Sequence, residues 1–61
     1  MQFTKDELVL IADGDGGYEV GRVVFVRPDG CEIERGYYVT FYSEENIHKC
    51  PKSIHKEYKR N

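Results

Sequence analysis

Four side chains in this sequence are of the types that bind zinc: Cys31, His48, Cys50 and His55. The segment His48-Lys49-Cys50 would place two ligands on one side of an extended strand, because side chains two positions apart share a face. The overall spacing, with a single first cysteine and then a close pair, matches no familiar zinc finger or knuckle. We therefore expect no metal and no cofactor, with a zinc-binding domain as an alternative.

Nucleophilic catalysis would need a thiol or hydroxyl held against a base and an orienting acid. The sequence contains no local motif that supplies such a set, and a chain of 61 residues has little room to enclose a dry pocket. Its two cysteines are too few for a disulfide framework and are expected to stay thiols, as small buried hydrophobic side chains. We expect a protein that is not an enzyme.

The strongest strand signals lie in residues 18–42. In the middle of this stretch, Arg27-Pro28-Asp29-Gly30 predicts a tight turn, because proline fixes φ at about −65°, aspartate bonds the backbone ahead of it and glycine accepts a positive φ. The stretch is thus predicted to form two long strands about this turn. Gly21 inside the first strand indicates a bend, a bulge or a close approach, and Gly36 interrupts the second.

Shorter strands flank this hairpin on both sides. The apolar run Leu8-Val9-Leu10-Ile11-Ala12 predicts a first strand, and Ile47-His48-Lys49-Cys50 predicts a last strand that Pro51 ends. The glycine-rich residues 13–17 predict a loop, and residues 51–58 suit a short helical turn.

Short strands at this spacing are typical of a sheet that closes on itself to protect its edges. We expect one all-β domain over residues 1–61, a small barrel of about five antiparallel strands with a C-terminal helical turn. Its core is expected within residues 7–54. An open three-strand meander that dimerises is the alternative fold.

Alternation along residues 37–42 divides the side chains of the fourth strand into two sets. We expect Val39 and Phe41 to face the core, and Tyr38 and Tyr42 to lie on the face with more solvent.

This order of elements resembles the Tudor-like group of Src-homology-3-like barrels over residues 7–54. The resemblance rests on the short first strand, the glycine-rich loop, the aromatic residue that opens a bent second strand, the hairpin, the strand Tyr-Val-Thr-Phe-Tyr and the acidic turn after it. In Tudor domains this pattern places a cage of aromatic rings, and the match makes Tyr18 and Tyr42 the cage candidates. Aromatic faces attract an ammonium group by about 0.5 to 2 kcal/mol, and Glu44 or Glu45 would add charge attraction. Packing of the tyrosines across strands is the alternative.

We expect a small non-catalytic binding module or adaptor that docks on a protein partner through an aromatic surface, with the nucleic-acid machinery as one setting. Tyrosine favours such contacts because it buries a large ring and keeps a polar tip. The loop at 13–17 and the turn at 43–46 are expected at the same end of the barrel. The predicted partner-binding residues are Tyr18, Tyr38, Tyr42, Glu44 and Glu45.

The net charge of −2 is distributed unevenly along the chain. Residues 1–47 carry four basic and ten acidic side chains, whereas residues 48–61 carry five basic and one acidic. A basic tail can bind phosphates, so a weak nucleic-acid-binding protein is an alternative function. The predicted nucleic-acid contacts are Lys49, Lys52, Lys56, Lys59 and Arg60.

The sequence has no apolar run near the roughly 20 residues of a membrane helix, and its first residues lead into charge rather than into an apolar signal segment. We expect a cytoplasmic protein without membrane contact, as a monomer or a weak homodimer.

Overall fold

The structure is a computed structural model that describes residues 2–51. Five strands form one sheet, and a 3₁₀ turn, Glu44–Asn46, joins the last two. The strands are β1 (Leu8–Ala12), β2 (Tyr18–Arg27), β3 (Gly30–Arg35), β4 (Tyr38–Ser43) and β5 (Ile47–Lys49). All neighbours are antiparallel, in the order β4-β3-β2-β1-β5. The prediction of five antiparallel strands is confirmed, while all of the predicted helical turn except Pro51 lies outside the described residues.

The 3₁₀ turn connects the two edge strands of the sheet, β4 and β5. The edges of a flat five-stranded sheet would stand about 19 Å apart, at about 4.8 Å per strand. The four steps from Ser43 to Ile47 span at most about 14 Å when fully extended, and less in a 3₁₀ turn. The sheet must therefore curve strongly, and within residues 2–51 it remains open between β4 and β5.

The curved sheet encloses a small apolar core on its inner face. Its members are at most 5% exposed: Phe3, Val9, Ile11, Val23, Cys31, Ile33 and Ile47. The register of β2 against β3 shifts between Val23 and Phe25, which marks a bulge. Because of this extra residue, both Val23 and Val26 face the core, although they are three positions apart.

The predicted turn between β2 and β3 is present, with Pro28 and Asp29 between the paired residues Arg27 and Gly30. The predicted reason for Gly30 is wrong, because its φ is not positive. A Cβ at this position would lie 2.1 Å from the carbonyl oxygen of Tyr42 and 2.7 Å from Cζ of Phe41. Gly30 is required because the backbone of β4 at Tyr42 occupies the space that a side chain would need.

Gly36 ends a strand, whereas the sequence predicted only an interruption within one. Arg35 pairs with Tyr38, so Gly36 and Tyr37 form a two-residue turn between β3 and β4. Gly36 has a φ of 66°, and a positive φ at the first turn position alone is typical of a type II′ hairpin turn. The predicted long second strand is therefore two strands.

The predicted faces of β4 are also wrong, although Tyr38 is exposed as expected. Tyr42 lies opposite Cys31, on the inner face, and packs against the core. Val39 and Phe41 are 49% and 41% exposed, because they lie opposite Glu34 and Glu32 on the outer face. The Gly36 turn fixes this register, and a shift of one residue would exchange the two faces.

We expect Gly30→Ala to destabilise the protein by at least about 2 kcal/mol, because overpacking against backbone costs about 1 to 3 kcal/mol or more. Urea unfolding followed by circular dichroism measures this change. Gly17→Ala is the matched control, since the nearest atoms to its Cβ would belong to the exposed side chain of Asp13, at 2.9 Å, rather than to backbone. Equal stability of the two variants would contradict the close approach of β4 to Gly30.

We expect Tyr42→Ala to lower the free energy of unfolding more than Phe41→Ala does. Tyr42 packs against the core, so its removal should cost about 2 to 3 kcal/mol, whereas the more exposed Phe41 should cost about half of that. Thermal unfolding of both variants measures the order. The reverse order would restore the faces predicted from the sequence.

Candidate functional site

Arg35, the last residue of β3, is the centre of a cluster on the inner face of the sheet. Its Cζ lies 5.5 Å from the ring centre of Tyr42 and 5.7 Å from that of Tyr38. One Nη forms an ion pair with Glu19, and the other donates a hydrogen bond of 3.2 Å to the hydroxyl of Tyr38. Only 17% of the Arg35 side chain is exposed. We call these four residues the arginine cluster.

The neighbours of Arg35 stabilise its protonated form. Burial alone would lower the pKa of Arg35, but the oxygens of Tyr42, Tyr38 and Glu19 outweigh burial and raise it above its ordinary value. The guanidinium is therefore a permanent cation between two tyrosine rings, which attract it through their faces. The chain itself thus supplies the cation for this pair of rings.

An open groove of about 560 Å³ lies beside the arginine cluster. Its lining residues are Glu19, Val20, Arg35, Gly36, Tyr37 and Tyr38. A smaller depression of about 300 Å³ also includes Val20 and Gly36, and reaches to Leu8 and to the ion pair of Arg22 with Glu34. Since the two share residues, they form one elongated surface around Val20 and Gly36, which we call the turn groove.

Two tyrosines border the turn groove and expose large apolar rings to solvent. Tyr37 is fully exposed at the tip of the β3–β4 turn, and Tyr38 is 55% exposed. Exposed aromatic rings next to a groove can bury a large area upon binding. Sequence reasoning missed Tyr37, Arg35 and Glu19 as site residues, and the signal that could have revealed Tyr37 is the turn formed by Gly36.

The predicted partner-binding tyrosines do not form one surface. Tyr18 lies on the opposite face of β2 from its neighbour Glu19, and its ring meets that of His48 edge-on at 5.5 Å between centres. Tyr38 and Tyr42 are joined through Arg35. The structure therefore brings two of the three tyrosines together.

The predicted acidic residues lie on the 3₁₀ turn, away from the turn groove. The backbone N–H of Glu44 donates a hydrogen bond of 3.0 Å to the carbonyl of Asp29, so this turn lies against the β2–β3 turn. Glu45 is exposed. Ile47 of β5 pairs with Ile11 of β1, so Asn46 lies opposite Ala12. The 13–17 loop therefore begins near the 3₁₀ turn.

Lys49, which was predicted to contact nucleic acid, holds the N-terminal segment against β5. Its Nζ donates hydrogen bonds to the carbonyl of Gln2 at 2.7 Å and to Oε2 of Glu7 at 2.9 Å. The same Nζ lies 4.7 Å from the ring centre of Phe3. Lys49 therefore has a structural role, and the other predicted contacts, Lys52, Lys56, Lys59 and Arg60, lie outside the described residues.

The cysteines are free thiols, with Cys31 fully buried and Cys50 partly buried. Burial raises the pKa of both thiols, and the carboxylates of Glu44 and Glu7 raise that of Cys31 further. Within residues 2–51, no group of three or more His, Cys, Asp or Glu side chains is placed to hold a metal ion. His55, the fourth candidate zinc ligand, lies outside that range.

Comparisons of the chain with protein families, with curated proteins and with solved structures give no match. In the part of the chain that the structure describes, no helix is long and apolar enough to cross a membrane. The arginine cluster and the turn groove are therefore the features from which a function can be inferred.

Glu7 should make the stability of the protein depend on pH. Burial alone would raise the pKa of Glu7, but hydrogen bonds from Lys49 and Thr4 outweigh it and hold the pKa below its ordinary value of 4.5. A lowered folded-state pKa contributes stability above the unfolded value, and this contribution is lost as the pH falls through the folded value. Urea unfolding between pH 7 and pH 3 should therefore show less loss of stability with acid in Glu7→Gln than in the wild type.

Glu45→Gln is the control for this experiment, since Glu45 is exposed and has no ion pair among the described residues. It should lose stability with acid as the wild type does. If Glu7→Gln and the wild type lose equal stability, the contact between Lys49 and Glu7 carries no such coupling.

Proposed function

We propose that this chain is a small non-catalytic binding module of the Src-homology-3-like, Tudor-like barrel type, which docks on a protein partner through the turn groove. Two features support the barrel type: the strong curvature of the sheet, and the 3₁₀ turn that links its edge strands. The observation that carries the docking site is the full exposure of Tyr37 beside Tyr38 and the turn groove.

The arginine cluster favours docking because it fixes one wall of the groove before a partner arrives. Arg35 is held by two rings, an ion pair and a hydrogen bond, so its side chain loses little freedom upon binding. A preorganised surface binds more tightly because less entropy is lost on association. The wall formed by Arg35 and Tyr38 is therefore suited to bind a partner with little loss of conformational entropy.

The charges that line the turn groove are paired within the chain. Arg35 pairs with Glu19, and Arg22 pairs with Glu34. A partner can cover these pairs without burying an uncompensated charge, which would be strongly unfavourable. The partner that fits is an extended protein segment that places an apolar or aromatic side chain over Val20, between the tyrosine rings and the Arg22–Glu34 pair.

Nucleic acid fits this surface less well. Residues 1–47 carry ten acidic and four basic side chains, so the body of the protein repels phosphates. The paired arginines of the groove are also not available as phosphate contacts without breaking their ion pairs. Protein docking is thus the function that the groove favours.

We expect Tyr37→Ala to weaken partner capture by at least about tenfold and to leave the fold intact, because hot-spot tyrosines commonly contribute about 2 kcal/mol or more. Immobilised protein incubated with lysate of the native host measures the capture. Amide NMR shifts of this protein then locate the surface that the captured partner covers. Binding should change the shifts of Val20, Gly36 and Tyr38.

Tyr18→Ala is the matched control. Tyr18 is exposed to a similar degree as Tyr38, at 58%, but lies outside the turn groove. It should capture the partner as the wild type does. Equal capture by Tyr37→Ala and the wild type, or a loss limited to Tyr18→Ala, would overturn the proposed site.

A further inference from the structure

The two edges of the sheet differ in how they are protected against pairing with another strand. β5 has only three residues, ends at Lys49 and is followed closely by Pro51. Short length, lysine and proline are features that prevent edge-to-edge pairing. β4 has six residues, Tyr38–Ser43, with no lysine, proline, glycine or bulge, and its register with β3 is unbroken. Among residues 2–51, β4 is therefore a sheet edge that lacks these protections.

The backbone groups that β4 offers at its outer edge follow from its turn. Arg35 and Tyr38 close a two-residue turn, which makes them a hydrogen-bonded pair. Since such pairs alternate along antiparallel strands, Thr40 also bonds to β3, while the N–H and C=O groups of Val39 and Phe41 point away from it. The hydrogen bond from Glu44 to Asp29 continues the same alternation.

We propose that β4 pairs antiparallel with β4 of a second copy of this chain, with Thr40 of each copy on the two-fold axis. In this register, Val39 of one copy lies opposite Phe41 of the other. These two residues exchange hydrogen bonds at both ends of the pairing, which gives four bonds in total. The two sheets then continue across the interface as one sheet of ten strands.

A second copy fits this edge because β4 is complementary to itself. It carries no charged side chain, so no like charges meet across the axis. Threonine opposite threonine and aromatic opposite β-branched side chains are favourable cross-strand pairs. The pairing also covers the exposed side chains of Val39 and Phe41, which are 49% and 41% exposed.

The charges beyond the ends of β4 favour the antiparallel orientation. Glu44 and Glu45 follow the Ser43 end of β4. Parallel pairing would place these carboxylates of the two copies side by side, whereas antiparallel pairing puts them at opposite ends of the interface. A single strand pair buries less area than a standard interface, so the dimer is weak and depends on concentration.

Sedimentation equilibrium of the full chain from about 10 μM to about 1 mM, a range suited to small interfaces, tests the pairing. The wild type should dimerise within this range. Thr40→Lys and Thr40→Glu should each dimerise at least about tenfold more weakly, because like charges would meet on the two-fold axis. An equimolar mixture of the two variants should restore the dimer.

Val39→Pro tests the edge in any register. It removes an N–H that points away from β3, so the fold should persist, as an amide NMR spectrum can verify, while dimerisation is lost. Tyr18→Ala, which removes an exposed ring from β2 rather than from β4, should dimerise as the wild type does.

Three results would overturn the proposal. The first is a wild type that stays monomeric at about 1 mM, where even weak pairs associate. The second is a mixture of Thr40→Lys and Thr40→Glu that is no more dimeric than either variant alone. The third is a folded Val39→Pro that dimerises as the wild type does; if this variant fails to fold, the Thr40 pair decides.

Discussion

The short connection between the two edge strands sets the shape of this protein. Three residues, Glu44–Asn46, carry the chain from one edge of a five-stranded sheet to the other, so the sheet must curve. A chain of 61 residues gains from this, since a single curved sheet can enclose a core without a second layer. The same curvature presses β4 against the start of β3, where only Gly30 leaves room for it.

At the end of the sheet where β3 turns into β4, Arg35 stands where an apolar side chain would usually close the core. Its Cγ lies close to Gly21 of β2, and its guanidinium lies near the rings of both Tyr38 and Tyr42. One residue thus joins β3 and β4 to β2 through Glu19. Stability and the shape of the turn groove therefore depend on the same contacts.

The sequence predicted those parts of the fold whose ends are marked by glycine or proline. β1 is an apolar run that ends before a glycine-rich loop, the valine-rich β2 lies between Gly17 and Pro28, and β5 ends shortly before Pro51. Pro28 with Asp29 marks the turn between β2 and β3. The faces of β4 were not predictable by alternation, because nearly every residue from 37 to 42 is a strand former of similar polarity. Its register depends on the Gly36 turn. The contact of Arg35 with Glu19, sixteen positions apart, depends on the curvature and leaves no local signal.

The two thiols differ in solvent exposure, so that their reactivity can report on unfolding. Cys31 is fully buried on β3, between Val26 of β2 and Tyr42 of β4, while Cys50 follows the short edge strand β5 and is partly exposed. We expect a thiol reagent to reach Cys50 in the native protein, but to reach Cys31 only when the core around it opens. The rate of labelling at Cys31 relative to that at Cys50 therefore measures how often the core around Cys31 opens, without any substitution or added dye.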